Sequence, residues 1–240
     1  MRPRRSYVTS DALRIHVTNL HKSYRDADRS LTVIECLSME FPAGRSIGIL
    51  GASGVGKSTL LHLLGGLDLP SSGTVCFDDL DLTRLGGDSL SDFRARNVGF
   101  IFQFHHLLPE FDALENVAMP LYIAGWQEAK AAERAAVLLR KVGLEERLHH
   151  RPSELSGGEQ QRVAVARAVA ARPRVILADE PTGNLDVDNA REVQGLLHEL
   201  NHETGGTLLV ATHSHELARS MDVVFEMLPG GALRPWGEER

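Results

Sequence analysis

The sequence predicts an α/β fold: a mostly parallel sheet flanked by helices, with an antiparallel β part near the start and a helical sub-lobe inserted in the middle third. Three observations carry this reading. The apolar runs Ser46 to Leu50 and Val175 to Ala178 have strand length and are each followed by helical spacing, the pattern of buried strands in βαβ units. Leu13, Ile15 and Val17 alternate with polar residues, which marks a strand with one buried face. Residues 113–142 are helical in pattern, and Ala129 to Val142 is rich in Ala, Leu, Glu, Arg and Lys, all good helix formers.

The elements follow in order. A second strand covers Leu31 to Phe41 and ends at the turn Pro42-Ala43-Gly44. Ser46 to Leu50 leads into a glycine-rich loop, after which Leu60, Leu61, Leu63, Leu64 and Leu67 recur at helical spacing. Strands are expected at Gly73 to Leu82 and Asn97 to Phe102. A helix is expected at Val163 to Ala171, stopped by Pro173. Val175 to Ala178 ends in two acids, Asp179 and Glu180. A helix from about Asp188 to His202, a strand from Thr207 to Ala211, a helix from His215 to Ser220 and a turn at Pro229-Gly230-Gly231 complete the series. The expected organisation is a single domain over residues 1–240. Its core comprises about 12–96 and 172–234, and its helical sub-lobe about 97–171.

Composition narrows the function classes. A net charge of −6 argues against a nucleic-acid binder. The two cysteines, Cys36 and Cys76, form no CxxC pair; they imply a reducing compartment and are expected as small buried side chains. Arg2, Arg4 and Arg5 make the start basic, but the following residues are polar, so no secretory signal is expected. No apolar run reaches the roughly 18 residues of a transmembrane helix. A membrane role would therefore come through a partner.

Gly51-Ala52-Ser53-Gly54-Val55-Gly56-Lys57-Ser58 matches the phosphate-loop pattern G-x-x-x-x-G-K-[ST]. Glycines let the backbone curl so that successive N–H groups point at phosphate oxygens, and the next helix adds the positive end of its dipole. Lys57 reaches the outer phosphates, and the Ser58 hydroxyl can ligate Mg²⁺. Thr59 completes the expected contact set. The strand ending in Asp179 and Glu180 delivers its acids to the sheet edge where phosphates sit. Asp179 suits Mg²⁺, and Glu180 suits the attacking water.

Leu155-Ser156-Gly157-Gly158-Glu159-Gln160-Gln161-Arg162 resembles the signature motif of ABC ATPases. Ser156 and the Gly157 and Gly158 amides precede a helix beginning near Glu159, so they can form a second anion cradle. The chain is similar to this family over about residues 12–234, which implies a P-loop NTPase core that binds ATP and Mg²⁺. It also implies ATP hydrolysis and a head-to-tail homodimer in which two ATP molecules lie between one copy's phosphate loop and the other's signature. Further positions carry over from the resemblance. Tyr24 corresponds to the aromatic that stacks on adenine. Gln103 corresponds to the glutamine at Mg²⁺ and water that links to the membrane partner. Asp186, in Gly183-Asn184-Leu185-Asp186, corresponds to the acidic loop crossing the dimer. His213 corresponds to the switch histidine. The expected catalytic set is Glu180, His213 and Lys57. The expected metal set is Ser58, Gln103 and Asp179. Ser214 stands where family members often have Asp; it can still cap the next helix.

Gly65-Gly66-Leu67-Asp68 and Pro181 to Asp186 resemble the branch holding the lipoprotein-releasing, MacB-like and FtsE-like ATPases. Phe102 to Pro109, Ala113 to Leu121 and His150 to Glu154 are most similar to the lipoprotein-releasing ATPases. That resemblance implies LolC/LolE-like integral membrane subunits docking near Gln103–Pro109 and a peripheral place on the cytoplasmic side of the inner membrane. A MacB-like exporter and an FtsE-like division complex remain open alternatives. A compact middle lobe and a single cassette argue against the ABC ATPases of DNA repair or translation. A P-loop kinase has no use for the signature. The pairs His105-His106 and His149-His150 lack a third ligand at metal-binding spacing. Phe100, Phe102 and Phe104 are expected in core or partner packing.

Overall fold

The structure, a computed structural model, describes residues 12–26 and 29–237; the basic stretch Met1 to Arg5 lies outside them. Ten strands and seven helices are described: β1 (Ile15–Asp26), β2 (Arg29–Phe41), β3 (Ser46–Leu50), α1 (Lys57–Leu64), β4 (Ser72–Phe77), β5 (Leu80–Asp81), α2 (Gly87–Asn97), β6 (Val98–Ile101), α3 (Ala113–Ile123), α4 (Glu128–Lys141), α5 (Gly157–Val169), β7 (Val175–Asp179), α6 (Val187–Thr204), β8 (Thr207–Thr212), α7 (His215–Arg219), β9 (Val223–Met227) and β10 (Leu233–Pro235). None of these helices is long and apolar enough to cross a membrane.

Two sheets form. Strands β2-β1-β4-β5 pair antiparallel, and a six-stranded sheet has the order β10-β9-β3-β8-β7-β6. Strands β9, β3, β8, β7 and β6 are parallel, and β10 pairs antiparallel with β9. Strands β3, β7 and β8 are apolar along nearly their whole length because both faces of a parallel sheet are covered. Alternate residues enter opposite cores. Val175, Leu177, Leu209 and Ala211 pack with α1, α2 and the antiparallel sheet, whereas Ile176, Ala178, Leu208 and Val210 pack with α3 to α6.

Three details differ from the sequence reading. β6 pairs in parallel with β7, so residues 98–101 belong to the large sheet, and the helical portion starts after them. α2 was not read from the sequence. Its apolar residues Leu90 and Phe93 are only one pair at helical spacing, yet both are buried. Cys36 is exposed on the outward face of β2 rather than buried, Cys76 is half-buried, and both are free.

Sheet register places the site. Leu50, at the end of β3, pairs with Thr212, and Asp179, at the end of β7, pairs with Ala211. The carboxyl ends of β3, β8 and β7 thus meet at one edge, where ligands of open α/β sheets bind.

Candidate nucleotide site

The phosphate-loop segment runs from β3 into α1. Gly54 (φ 77°) and Gly56 (φ 113°) hold backbone conformations that side chains resist, and a Cβ on Gly56 would come within 2.8 Å of Val33. The first turn of α1 has no side-chain cap and no acid, so its amides and dipole face outward uncompensated. Lys57 is buried at the start of this helix. Its ammonium donates to the carbonyls of Gly51 (2.8 Å) and Ala52 (3.1 Å) and lies 3.5 Å from Glu180 Oε1. A buried ammonium needs such partners.

Glu180 follows β7 in a left-handed backbone conformation (φ 45°), uncommon for a residue other than glycine. Its own N–H donates to Ala211 O (2.8 Å). Its Oε2 accepts from the Thr212 hydroxyl (3.1 Å) and the His213 N–H (3.3 Å), while Oε1 lies 3.0 Å from His213 Nδ1. The structure therefore brings Lys57, Glu180 and His213, far apart in sequence, into direct contact.

Asp179 Oδ1 is buried and has no hydrogen-bond partner among the described residues. A buried carboxylate oxygen left unpaired is costly, and a cation would satisfy it. No cluster of three or more His, Cys, Asp or Glu able to hold a metal occurs among the described residues. An all-oxygen set of carboxylate, hydroxyl and amide groups, completed by phosphate oxygens, suits Mg²⁺ rather than zinc. Asp179, Ser58 and Gln103 fit that cation.

A cavity of about 410 Å³ opens over this edge, lined by Tyr24, Leu31, Val33, Ser53, Gly54, Gly56, Lys57, Ser58, Thr59, Gln103 and Glu180. Its apolar flank and phosphate-loop floor match the two ends of a nucleotide. Tyr24 is 41% exposed, and its hydroxyl donates to Asp68 (2.8 Å), which also receives the Lys22 ammonium (2.8 Å). Burial and the Asp68 carboxylate push the Tyr24 hydroxyl above its ordinary pKa. Gln103 and Asn184 bond reciprocally: Gln103 Nε2 donates to Asn184 Oδ1 (3.2 Å), and Asn184 Nδ2 donates to Gln103 O (3.1 Å).

The signature residues lie elsewhere. Ser156, Gly157, Gly158 and Glu159 line no part of that cavity. Ser156 caps α5 in a reciprocal capping box with Glu159, whose carboxyl is held below its usual pKa by the Ser156 N–H. Gly157 is open to solvent, so its amide is accessible. Gly158 packs against α6 so closely that a Cβ would fall 2.2 Å from Asn189 Oδ1. Asn189 in turn bonds Asp186, the N-cap of α6, through its backbone N–H (3.0 Å) and Nδ2 (2.7 Å). Asp186 is exposed. The signature and the acidic turn thus form one surface, separate from the chain's own phosphate loop.

Sequence reasoning missed the residues that hold these pieces together. Thr212 and Asn184 touch Glu180 and Gln103. Gln161, almost fully buried in α5, donates from Nε2 to Pro181 O (2.7 Å) and Phe102 O (3.5 Å), joining the segments beside Glu180 and Gln103. A lone glutamine on an otherwise apolar helix face was the available signal. Ser214 caps α7 by accepting the Leu217 N–H (3.3 Å), as its residue type allows.

Beyond Gln103, a groove of about 370 Å³ is lined by Phe100, Phe102, His106, Leu108, Pro120, Ile123 and neighbours. Phe100 and Phe102 stack at 5.6 Å, and Phe104 is exposed. The fully buried Asn116 accepts the Leu108 N–H (2.8 Å) and donates to the Leu108, Phe111 and Asp112 carbonyls, fixing the loop beside the groove. Arg167 donates to the carbonyls of His105 and His106, both at 2.7 Å.

Comparison with known proteins agrees with this geometry. The ABC transporter family model matches residues 34–183. The lipoprotein-releasing system ATP-binding protein LolD of Syntrophotalea carbinolica is 52% identical over 223 residues, covering 93% of this chain and 98% of that protein. LolD of Idiomarina loihiensis is 51% identical, covering 93% and 97%. The dimeric structure of MJ0796, a bacterial ABC transporter cassette, superposes with a TM-score of 0.86 at 35% identity, covering 94% of this chain and all of that one. A dimeric post-hydrolysis state of the same cassette bound to ADP and Pi gives 0.86 at 34%.

Proposed function

The chain belongs to the ABC transporter family, and from that premise we propose that it is the ATP-hydrolysing subunit of a lipoprotein-releasing transporter. The observation that carries the ATPase assignment is the convergence of Lys57, Glu180 and His213 at the edge of a cavity floored by the phosphate loop. The lipoprotein assignment is carried by identity of about half over nearly the whole chain to LolD proteins. The whole described chain acts as one ATPase domain, with a helical sub-lobe that starts after β6 and runs to about residue 171.

In this reading Tyr24 stacks on the adenine while the amides from Gly51 to Ser58, with Thr59, hold the phosphates. Lys57 exchanges the Gly51 and Ala52 carbonyls for the outer phosphates. Glu180 orients the attacking water and takes its proton as the water displaces ADP from the γ-phosphorus in line. His213 and Lys57 offset charge on the transferred phosphoryl group. Ser58, Asp179 and Gln103 would hold Mg²⁺, which supplies charge neutralisation at the phosphate oxygens.

The signature does not line its own chain's cavity, which supports a head-to-tail pair. The Ser156 and Gly157 surface of each copy would close on the nucleotide of the other, with Asp186 and Glu159 at the seam. Peripheral attachment to the inner membrane comes from membrane subunits of the LolC/LolE kind, seated in the groove beside Gln103–Pro109. The reciprocal Gln103–Asn184 bonds and the Gln161 bridge supply a path from that groove to Glu180 and α5.

The test is affinity purification of the full chain from native membranes with identification of its partners. Two different membrane subunits, one copy each, with ATP-driven release of lipoproteins from reconstituted vesicles, are expected. A single homodimeric membrane partner and no lipoprotein release would overturn the assignment in favour of a MacB-like exporter.

A further inference from the structure

Glu180 is gripped on two sides that differ in kind. Oε1 faces Lys57 and the exposed side chain of His213 (59% exposed). In the reading above, both of these turn toward phosphate during the reaction. Oε2 accepts the hydroxyl of Thr212, the last residue of β8, which is 1% exposed, and the backbone N–H of His213 (3.3 Å).

Thr212 makes three bonds to three different parts of the site. Its carbonyl accepts the Gly51 N–H at the mouth of the phosphate loop (3.3 Å). Its hydroxyl oxygen accepts the Ser214 N–H (3.0 Å) and donates to Glu180 Oε2 (3.1 Å). The direction of this chain is forced. A backbone amide only donates, and an ionised carboxylate only accepts, so the hydroxyl proton points at Glu180. The β-branched side chain has few χ1 choices, and the neighbouring strands fix its backbone by register with Leu50.

We propose that Thr212 is a positioning residue for hydrolysis: its hydroxyl keeps the Glu180 carboxylate aimed at the attacking water once Lys57 and His213 have moved to the phosphates. The same hydroxyl ties Glu180 to the Ser214 turn that carries His213, so carboxylate and switch histidine keep a common anchor. Thr212 lines no part of the nucleotide cavity; it acts through Glu180. The inference rests on the role proposed for Glu180.

The test is steady-state ATP hydrolysis by the full chain. Thr212→Val keeps the shape and removes the hydroxyl. Thr212→Ser keeps the hydroxyl and removes the methyl. Loss of a hydrogen bond to an ionised group corresponds to roughly a 10- to 100-fold effect. The Val variant should therefore lose kcat by roughly tenfold or more, with KM for ATP within about twofold of the parent, and the Ser variant should recover most of the loss. Should Thr212→Val fail to fold, Thr212→Ala against Thr212→Ser isolates the same oxygen, with the same ordering expected. A Val or Ala variant as active as the Ser variant overturns the proposal, as does a parallel loss in kcat and ATP affinity. Full activity of Thr212→Val beside an inactive Glu180→Gln removes only this inference. Normal turnover of Glu180→Gln removes the proposed function of Glu180 itself.

Discussion

The Lys57 ammonium sits 3.5 Å from Glu180 Oε1 while donating to Gly51 O and Ala52 O. In the proposed reading, base and phosphate ligand thus hold each other, and the buried positive charge of Lys57 is offset by these partners. On that reading, nucleotide displaces this contact, which would link binding to the release of Glu180 toward water.

Glu180→Gln should retain ATP binding and lose turnover by roughly 100-fold or more. The unhydrolysed nucleotide should then hold two copies together. Size-exclusion chromatography with Mg·ATP is expected to show a dimer for this variant; a monomer with normal ATPase activity contradicts the assigned role.

Tyr24 separates ring from hydroxyl. Tyr24→Phe breaks the 2.8 Å bond to Asp68 but keeps the aromatic face, so nucleotide affinity should stay within about threefold. Tyr24→Ala removes the face, and affinity should fall by roughly tenfold, the scale of one stacked base. Equal losses in the two variants, read with a fluorescent ATP analogue, would argue against stacking.

Gly99 lies in β6 directly under α5, where a Cβ would meet the Ala168 carbonyl oxygen at 2.3 Å. Neither backbone can yield cheaply. Gly99→Ala should cost about 1–3 kcal/mol and lower Tm by roughly 2–10 °C. Gly87, in the first turn of α2, has nothing within 4 Å of a built Cβ, and Gly87→Ala should leave Tm within about 2 °C. Thermal melts that do not separate the two variants would refute the packing account.

Asp222 accepts from both the backbone N–H and the hydroxyl of Ser46, each at 2.9 Å. The backbone bond lowers its carboxyl most; burial opposes it, and the hydroxyl bond and nearby Arg45 add to the lowering, so the carboxyl stays below the usual range. A depressed folded pKa contributes stability above the unfolded value of about 3.9, and that stability is lost as pH falls through the folded value. Asp222→Ala should therefore melt below the parent at pH 7, and the gap should narrow below about pH 4. A gap that stays constant from pH 7 to about pH 3 excludes the ionic contribution.

Legibility followed the range of the interaction. The phosphate loop, the acids after β7 and the serine-glycine turn at Ser156 were readable because each is a contiguous stretch whose residue types dictate its own backbone. Strands β3, β7 and β8 were readable because burial on both faces leaves an unbroken apolar run. α2 was not, since a single Leu90–Phe93 pair amid charged residues gives little periodicity. The exposure of Cys36 depends on which face of β2 turns outward, and small apolar character does not settle that.

What the sequence by itself determined is the local pieces: a glycine-rich loop before α1, two acids at a strand end, and a serine-glycine turn led by Ser156. What only the tertiary structure decided is who meets whom. Thr212 reaches Glu180, Asn184 reaches Gln103, Asn189 braces Gly158, and Ser156 lines no part of the cavity that holds its own Lys57. The reason is physical. Local residues set dihedral preferences and periodicity, whereas contacts across 30 or more positions are set by strand order and register. In the order β10-β9-β3-β8-β7-β6, β3 lies between β9 and β8, two strands that come far later in the chain.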